Sequence, residues 1–420
     1  MKQLLKIFKD KDIRNKILVV LGLLVVFRFA ATVPIPGVDV MRLRAFLSGN
    51  QLFGLLNIFS GGALGNLSIV MLGVGPYITA SIIMQLLTMV FPKLKEMYQE
   101  EGEAGRQKFN QYSRLLTVPL ALLQGFALLT LLGRQGVLSG IGRLGIVENL
   151  IIVTAGSVFL MWLGELISEY GIGNGVSLMI FAGIVARLPV DVQQTLVSYD
   201  PSQVPVYVLF ALVAVLVIAG VVFITEGERP VTVSYAKRVR GARVYGGFSS
   251  YLPLRVNQAG VIPIIFALSI LLFPQFLGSL LAASSNPVLH GISDFFLHAF
   301  ANQWVYGGFY FLLVFLFTYF YTAVTFDPQS IADNLQKSGG FVPGIRPGRS
   351  TAEFLYNVIS HITLAGALFL GLIAVLPLAV QGATGLRTLS LGGTALLIVV
   401  SVVLETMKQI ESQLVMREYD

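Results

Sequence analysis

The sequence predicts an all-α polytopic membrane protein, and three observations carry that prediction. Apolar residues make up 55% of the 420 residues and charged residues 12%, about half of the roughly 25% found in soluble domains. The apolar residues fall in long continuous runs, and a membrane span needs roughly 20 of them. Lys and Arg are concentrated in alternate connecting segments. A soluble core of this length could not hide so much apolar surface, and so an ordinary soluble enzyme and a disordered chain are both excluded. With no cysteine, the chain can form neither a disulfide scaffold nor a thiolate site. Continuous rather than alternating runs exclude a β-barrel.

Ten runs qualify, at 17–33, 67–90, 115–132, 150–167, 176–188, 204–224, 259–281, 305–326, 354–380 and 391–404. The fifth and tenth are short and are extended by residues 171–175 and 404–410. Lys2, Lys6, Lys9, Lys11, Arg14 and Lys16 precede the first run. No small-residue cleavage site follows it, so it reads as a retained span. With the N-terminus inside, the inner segments hold 22 of the 29 Lys and Arg and the outer segments 6. By the positive-inside rule both termini are then cytoplasmic.

Several runs are interrupted: by Gly73, Gly75 and Pro76 in the second, Pro119 in the third, Pro263 and Pro274 in the seventh, and Pro377 in the ninth. A proline removes a backbone donor, and in lipid the freed carbonyl must find another partner. Membrane helices tolerate single breaks, but the set together points to a bundle around a cavity. Arg28 is the one ionisable residue well inside a run; Glu165, Asp327 and Glu405 fall near inner ends and His361 early in the ninth run. A buried carboxylate chain of the kind that couples transport to protons or sodium is missing. His290, His298 and His361 have no ligand spacing, and Gly171-Ile-Gly-Asn-Gly175 lacks the lysine and the strand–helix setting of a nucleotide loop. No metal, cofactor or catalytic constellation is expected, so the chain is not read as an enzyme.

Two inner segments are too patterned to be plain connectors. In residues 226–257, alternation over 231–235 predicts a strand. Lys237, Arg238, Arg240 and Arg243 follow around Gly241, as the basic tip of a hairpin-like loop. Residues 327–353 contain a Pro/Gly-rich stretch carrying Arg346 and Arg349, which predicts a stiff exposed turn. Basic tips of this kind suit RNA phosphate or an acidic protein surface. They also satisfy the positive-inside rule.

In order and at fitting spacing, a set of short stretches resembles the SecY family, the channel subunits of the bacterial Sec protein translocon. They are Val33-Pro-Ile-Pro-Gly37, Phe59-Ser-Gly-Gly-Ala-Leu64, Pro76-Tyr-Ile-Thr-Ala-Ser81 with Gln85-Leu86, Met161-Trp-Leu-Gly-Glu165 and Gly171–Gly175. Leu252-Pro-Leu-Arg-Val-Asn257, Ala259-Gly-Val-Ile-Pro263, Ala332-Asp-Asn-Leu335, Phe341-Val-Pro-Gly-Ile-Arg-Pro-Gly348, Gly392-Gly-Thr394 and Leu396-Leu-Ile-Val399 continue it.

The resemblance implies ten transmembrane helices in two inverted-repeat halves, residues 1–188 and 189–420, around an hourglass pore. Its waist would be an aliphatic ring of Val74, Ile78, Ile180, Ile265, Ile270 and Ile398. Such a constriction dewets, yet offers no directional bonds to a passing peptide. A short, weakly held outer helix at about 56–67, including Asn57, Ser60, Gly61 and Gly62, would be the plug. Thr79, Gln124 and Asn257 would form a polar cluster at a lateral gate between spans two and three and spans seven and eight. Each polar contact there is worth roughly 1 kcal/mol, so an inserting apolar segment could displace it.

The implied function is passage of secretory polypeptides across the plasma membrane and lateral release of signal sequences and membrane segments into lipid. Lys237, Arg238, Arg240, Arg243, Arg346 and Arg349 would meet the ribosome, with ribosomal RNA contact through the basic loops, and the SecA motor ATPase. SecE and SecG are implied as further subunits, with signal sequences and unfolded preproteins as cargo. Family members often carry a second basic residue where Ala242 stands, and a basic residue where Pro230 stands. A secondary transporter for a small solute is the other class that ten broken spans allow. The missing carboxylates and the two basic loops favour the polypeptide channel.

Overall fold

The computed structural model describes residues 10–39, 42–43, 57, 60–99, 101–138, 142–197, 201, 204–235, 238–240, 243–245, 249–281, 286–384 and 390–418. Each of the ten apolar runs lies wholly or partly on a helix. Helix α1 (Lys11–Ala30) is capped by the Asp10 side chain, which accepts from the backbone N–H groups of Asp12 and Ile13. Helix α2 (Gly75–Val90) starts with Pro76 in its first turn, where a missing donor costs nothing. The chain then bends by 116° into the short α3 (Pro92–Gln99). Helices α4 (Gly102–Arg134), α5 (Arg143–Tyr170), α6 (Gly175–Val197) and α7 (Val204–Glu226) follow. The 33 residues of α4 span about 50 Å at 1.5 Å each. That outreaches a hydrocarbon core of about 30 Å, so one end of α4 projects beyond it.

The second half of the chain opens with an antiparallel pair, β1 (Glu228–Tyr235) and β4 (Ser249–Arg255), in register from Glu228↔Arg255 to Ser234↔Ser249. Between them β2 (Arg238–Arg240) and β3 (Arg243–Tyr245) make the hairpin. Helices α8 (Ile262–Leu281), α9 (Pro287–Ala301), α10 (Gln303–Thr325) and α11 (Pro328–Lys337) come next. The two-residue β5 (Gly340–Phe341) returns to pair with the end of β1, giving the order β4-β1-β5. Helices α12 (Arg349–Thr384) and α13 (Ser390–Glu418) complete the bundle.

Among the described residues, five helices are long and apolar enough to cross a membrane, and the bent α2–α3 pair makes a sixth. Residues Gly175–Val190 and Ile262–Leu271 are apolar but shorter. Helix α1 carries Lys11, Arg14 and Lys16 ahead of its apolar stretch and Arg28 within it. Exposed surfaces are apolar where a soluble protein would be polar: Val215 and Phe223 on α7 are 66% and 77% exposed. Lipid is the solvent that accepts such a helix.

One large core cluster joins α1, α2, α5, α6, α7, α8, α10, α12 and α13. A second gathers Ile35, Leu43, Leu64, Leu67 and Met71 against α4 and α5. The chain's two halves meet where α2 and α4 pack on α8, and again where α6 packs on α13.

Several sequence expectations need correction. The second run turns helical only at Gly75, because Leu67 and Gly73 adopt positive φ (42° and 61°). Pro263 does not break the seventh run, since α8 begins at Ile262 and the proline sits in its first turn. The connector between the seventh and eighth runs contains α9, started by the Asn286 side chain accepting from Val288 N–H. Of the plug helix expected over 56–67, residues 56, 58 and 59 lie outside the described residues, Asn57 is helical, and residues 60–67 form turns around a single 3₁₀ turn, Leu64–Asn66. Gly61 (φ 66°) and Gly62 (φ 84°) are left-handed, and a helix cannot run through them.

Candidate functional site

The six aliphatic residues expected at the waist come from four elements and all belong to, or pack against, one large core cluster. Val74 caps α2 and Ile78 lies one turn in; Ile180 comes from α6, Ile265 and Ile270 from α8, and Ile398 from α13. Five are buried in the large core cluster and Ile270 packs against it, half-buried. The same cluster also holds residues of α1, α5, α7, α10 and α12.

A cavity of about 740 Å³ lies among α2, α4, α5, α6, α8 and α10. Its walls are polar, with Gln85, Gln107, Asn110, Arg114, Glu165 and Asn174 among them, while Ile78 and Ile265 of the waist also line it. Arg114 Nε donates to Glu165 Oε1 at 2.6 Å, which ties α4 to α5 across the wall. Sequence reading missed this polar wall. Its signal was available in Tyr77, Ser81 and Gln85, all cavity-lining. Spaced by four, they share one face of α2.

Next to Val74 in the chain lies the segment containing Gly61 and Gly62. Its turns are closed by Gly62 N–H to Asn57 C=O (2.7 Å), Gly65 N–H to Asn57 Oδ1 (2.7 Å) and Leu64 N–H to Ser60 Oγ (3.0 Å). Asn57 and Ser60 are therefore buried structural caps. Leu64 and Leu67 are fully buried, and Arg28 Nη1 donates to Gly61 C=O at 2.5 Å.

The expected gate residues come together only in part. Gln124 Nε2 on α4 donates to Thr79 Oγ1 on α2 at 3.5 Å, and both are buried. Thr79 in turn donates to Gly75 C=O at 3.0 Å. Asn257 turns to its own loop, donating from Nδ2 to Gly260 C=O at 3.1 Å, and its Oδ1 is buried without a hydrogen-bond partner.

The two patterned loops prove to be one unit. Val231 and Leu254 of the β1–β4 pair share a core with Val342, Leu355, Val358 and Ile359, so both loops rest on the start of α12. The turn Val342–Ile345 closes with Ile345 N–H to Val342 C=O at 3.1 Å. Pro343 is preset for its second position, and Gly344 takes the φ of 85° that its third position requires. Arg346 follows directly and is exposed. Arg349 is exposed too, and its Nε lies 3.2 Å from Glu353 Oε1 in an i,i+4 pair. In the hairpin, Arg238 pairs with Tyr245 and Arg240 with Arg243 through the backbone; Lys237 lies outside the described residues. Pro230, opposite Pro253, sits in β1 beyond the reach of β5, an edge position that tolerates proline.

Fold and site together define a class: a polytopic helical membrane protein with a polar-walled cavity that the buried aliphatic residues Ile78 and Ile265 also line. Comparison with known proteins narrows this. The SecY family profile matches residues 68–407. Protein translocase subunit SecY of Mycobacterium tuberculosis is 45% identical over 429 residues, covering 97% of this chain and 96% of that one. The Corynebacterium glutamicum protein of the same name is 45% identical over 441 residues, covering 100% and 99%. Among solved structures, that of a protein-conducting channel superposes with a TM-score of 0.66 at 20% identity, covering 94% of this chain and 91% of that one. Sec61 in the canine ribosome–channel complex from the endoplasmic reticulum gives a TM-score of 0.61 at 20% identity, again covering 94% and 91%. At that identity the structural likeness speaks for the fold, and the ten-helix arrangement fits it. The chain belongs to the SecY family of protein translocase subunits.

Proposed function

We propose that the chain passes unfolded secretory polypeptides through the axis between its halves, residues 1–188 and 189–420, and releases signal sequences and membrane segments sideways into lipid. The observation that carries this reading is the cavity of about 740 Å³ whose polar walls meet the apolar waist at Ile78 and Ile265. A peptide backbone can stay hydrated along such walls until it reaches a constriction that makes no directional bonds to it. Val74, Ile78, Ile180, Ile265, Ile270 and Ile398 act as the seal in this reading. Residues 60–67 act as the plug, and Thr79, Gln124 and Asn257 border the lateral gate along the seam of α2 and α4 with α8. The halves act as inverted repeats in the plasma membrane, with both termini cytoplasmic, as the distribution of Lys and Arg supports.

The sheet β4-β1-β5 and the turn carrying Arg346 form the cytoplasmic docking platform. Family membership and the exposure of Arg346 and Arg349 support contacts with SecA and the ribosome, and the basic hairpin suits ribosomal RNA. SecE and SecG complete the assembly. The chain contributes a path rather than a reaction, and the energy comes from ATP hydrolysis by the motor or from translation.

Reconstitution into liposomes with SecE and SecA tests the reading. ATP-dependent, signal-dependent protection of a preprotein from added protease is expected. No protection, from chain shown to be folded and partner-bound, would overturn it.

A further inference from the structure

Arg28 poses a physical problem that the channel reading leaves unsolved. A guanidinium placed in an apolar stretch is expensive and takes a partner wherever one can be reached. Here its Nη1 donates to the backbone carbonyl of Gly61. The same glycine is gripped on two other sides. A side chain on Gly61 would run into the Phe27 ring, and one on Gly183 of α6 would overlap the Gly61 backbone. Gly61 and Gly183 therefore touch main chain to main chain, a contact that only glycines allow. The root of the segment is fixed separately: Ile35 N–H bonds Leu67 C=O (2.8 Å), Ile69 N–H bonds Val33 C=O (2.9 Å), and Asn66 Nδ2 donates to Ala31 C=O (3.3 Å).

We propose that Arg28 and Gly183 form a latch that holds the tip of the plug at Gly61 in the closed position, with residues 66–69 as its anchored root. This inference rests on the reading of residues 60–67 as a plug. The chemistry suits a reversible catch. The acceptor is a neutral carbonyl rather than a carboxylate, so release strands no buried anion. Arg28 lies in the last turn of α1, where its long stem can reach interfacial water once the carbonyl leaves. Arg28 acts through the plug and is a positioning residue.

The chain has no cysteine, so a single one reports cleanly. Ala63→Cys places it beside the latch at a fully buried position; Ala367→Cys, equally buried on α12, is the control. Labelling by a water-soluble maleimide is followed in the full chain, reconstituted with its partner subunits. Arg28→Gln should speed labelling at position 63 by about tenfold, the effect of losing one charge-assisted bond, and Gly183→Ala, whose added methyl displaces the Gly61 backbone, should speed it to a similar extent. Arg28→Lys should fall between, and the double variant should exceed neither single change by much, since both release one tip. Labelling at position 367 should not change. Unchanged labelling at 63 in both single variants would overturn the proposal, as would equal increases at 63 and 367. Should Arg28→Gln not fold, Gly183→Ala, which leaves the charge in place, decides alone. If labelling rises as expected while vesicles move no protein, the latch stands and the channel reading falls.

Discussion

At the scale of single residues, the structure separates polar groups that merely close local turns from those with unspent bonding capacity. Asn57 Oδ1 and Ser60 Oγ spend their bonds within their own turns. Asn257 does not: its Oδ1 is buried and bare, a state that costs about 1–3 kcal/mol in a folded interior. Such an oxygen is available to whatever enters the seam beside α8. Replacing Asn257 by Leu removes that demand, so an apolar signal segment of poor quality should be accepted more readily. Export of a reporter with a defective signal sequence should rise; unchanged export would assign Asn257 to loop closure alone. Arg346 presents the opposite case. It is exposed just after a rigid Pro343-Gly344 turn, and exposed substitutions shift stability by only about 0.5 kcal/mol. Arg346→Glu should therefore leave the melting temperature and membrane insertion intact while motor-driven export drops to background. Normal secretion by that variant would remove Arg346 from the docking platform.

At the scale of elements, legibility in the sequence tracked the range of the interaction. The ten apolar runs were readable because lipid imposes one composition on every spanning helix. The alternating strand at Val231–Tyr235 and the Pro/Gly turn before Arg346 were readable because local dihedral preferences set them. Helix α11 and the β5–β1 pairing were not. Strand β5 is two residues long and exists only because β1 offers it an edge from a loop about a hundred residues away. The gate cluster was half legible for the same reason. Thr79 and Gln124 meet through helix packing, whereas Asn257 is claimed by Gly260, a neighbour in its own loop. Helix α11 carries its own switch at Asp327, whose side chain caps Gln329 and Ser330. Partial burial pulls that carboxyl upward, but the hydrogen bonds from Ser330 and Gln329 and the charge of Lys95 outweigh it and hold it below its usual value. A carboxyl lowered on folding stabilises the fold above its unfolded pKa and loses that contribution as pH falls through the folded value. The protection of amides in the first turn of α11, measured relative to their intrinsic exchange rates at each pH, should fall in acid and not in mild base. Asp327→Ala should show the reduced protection already at neutral pH, with a loss of about 1 kcal/mol typical of a removed cap. Equal protection at both pH values would mean that the cap bears no load.

At the scale of the whole molecule, the same burial that stabilises the bundle must be given up for it to work. The residues proposed for the waist belong to or pack against the large core cluster, and in lipid they are held by close packing against their neighbours rather than by transfer from water. Parting α2 and α4 from α8 forfeits part of that packing. An apolar segment entering the seam can return it, because one apolar contact replaces another. Shape is thus less critical than apolarity at Ile78 and Ile265, which border both the core and the polar cavity. Two sets of variants separate seal from packing. Ile78→Leu with Ile265→Leu conserves volume and apolarity, which cores tolerate at a cost under about 1.5 kcal/mol; vesicles holding it should remain as tight to iodide as those holding the parent chain. Ile78→Asn with Ile265→Asn hydrates the constriction, and its resting iodide flux should rise while the preprotein still crosses, since no bond needed for passage has been lost. If the asparagine pair stays tight, the seal does not reside in these side chains, and the turns at Gly61 and Gly62 must form the barrier by themselves.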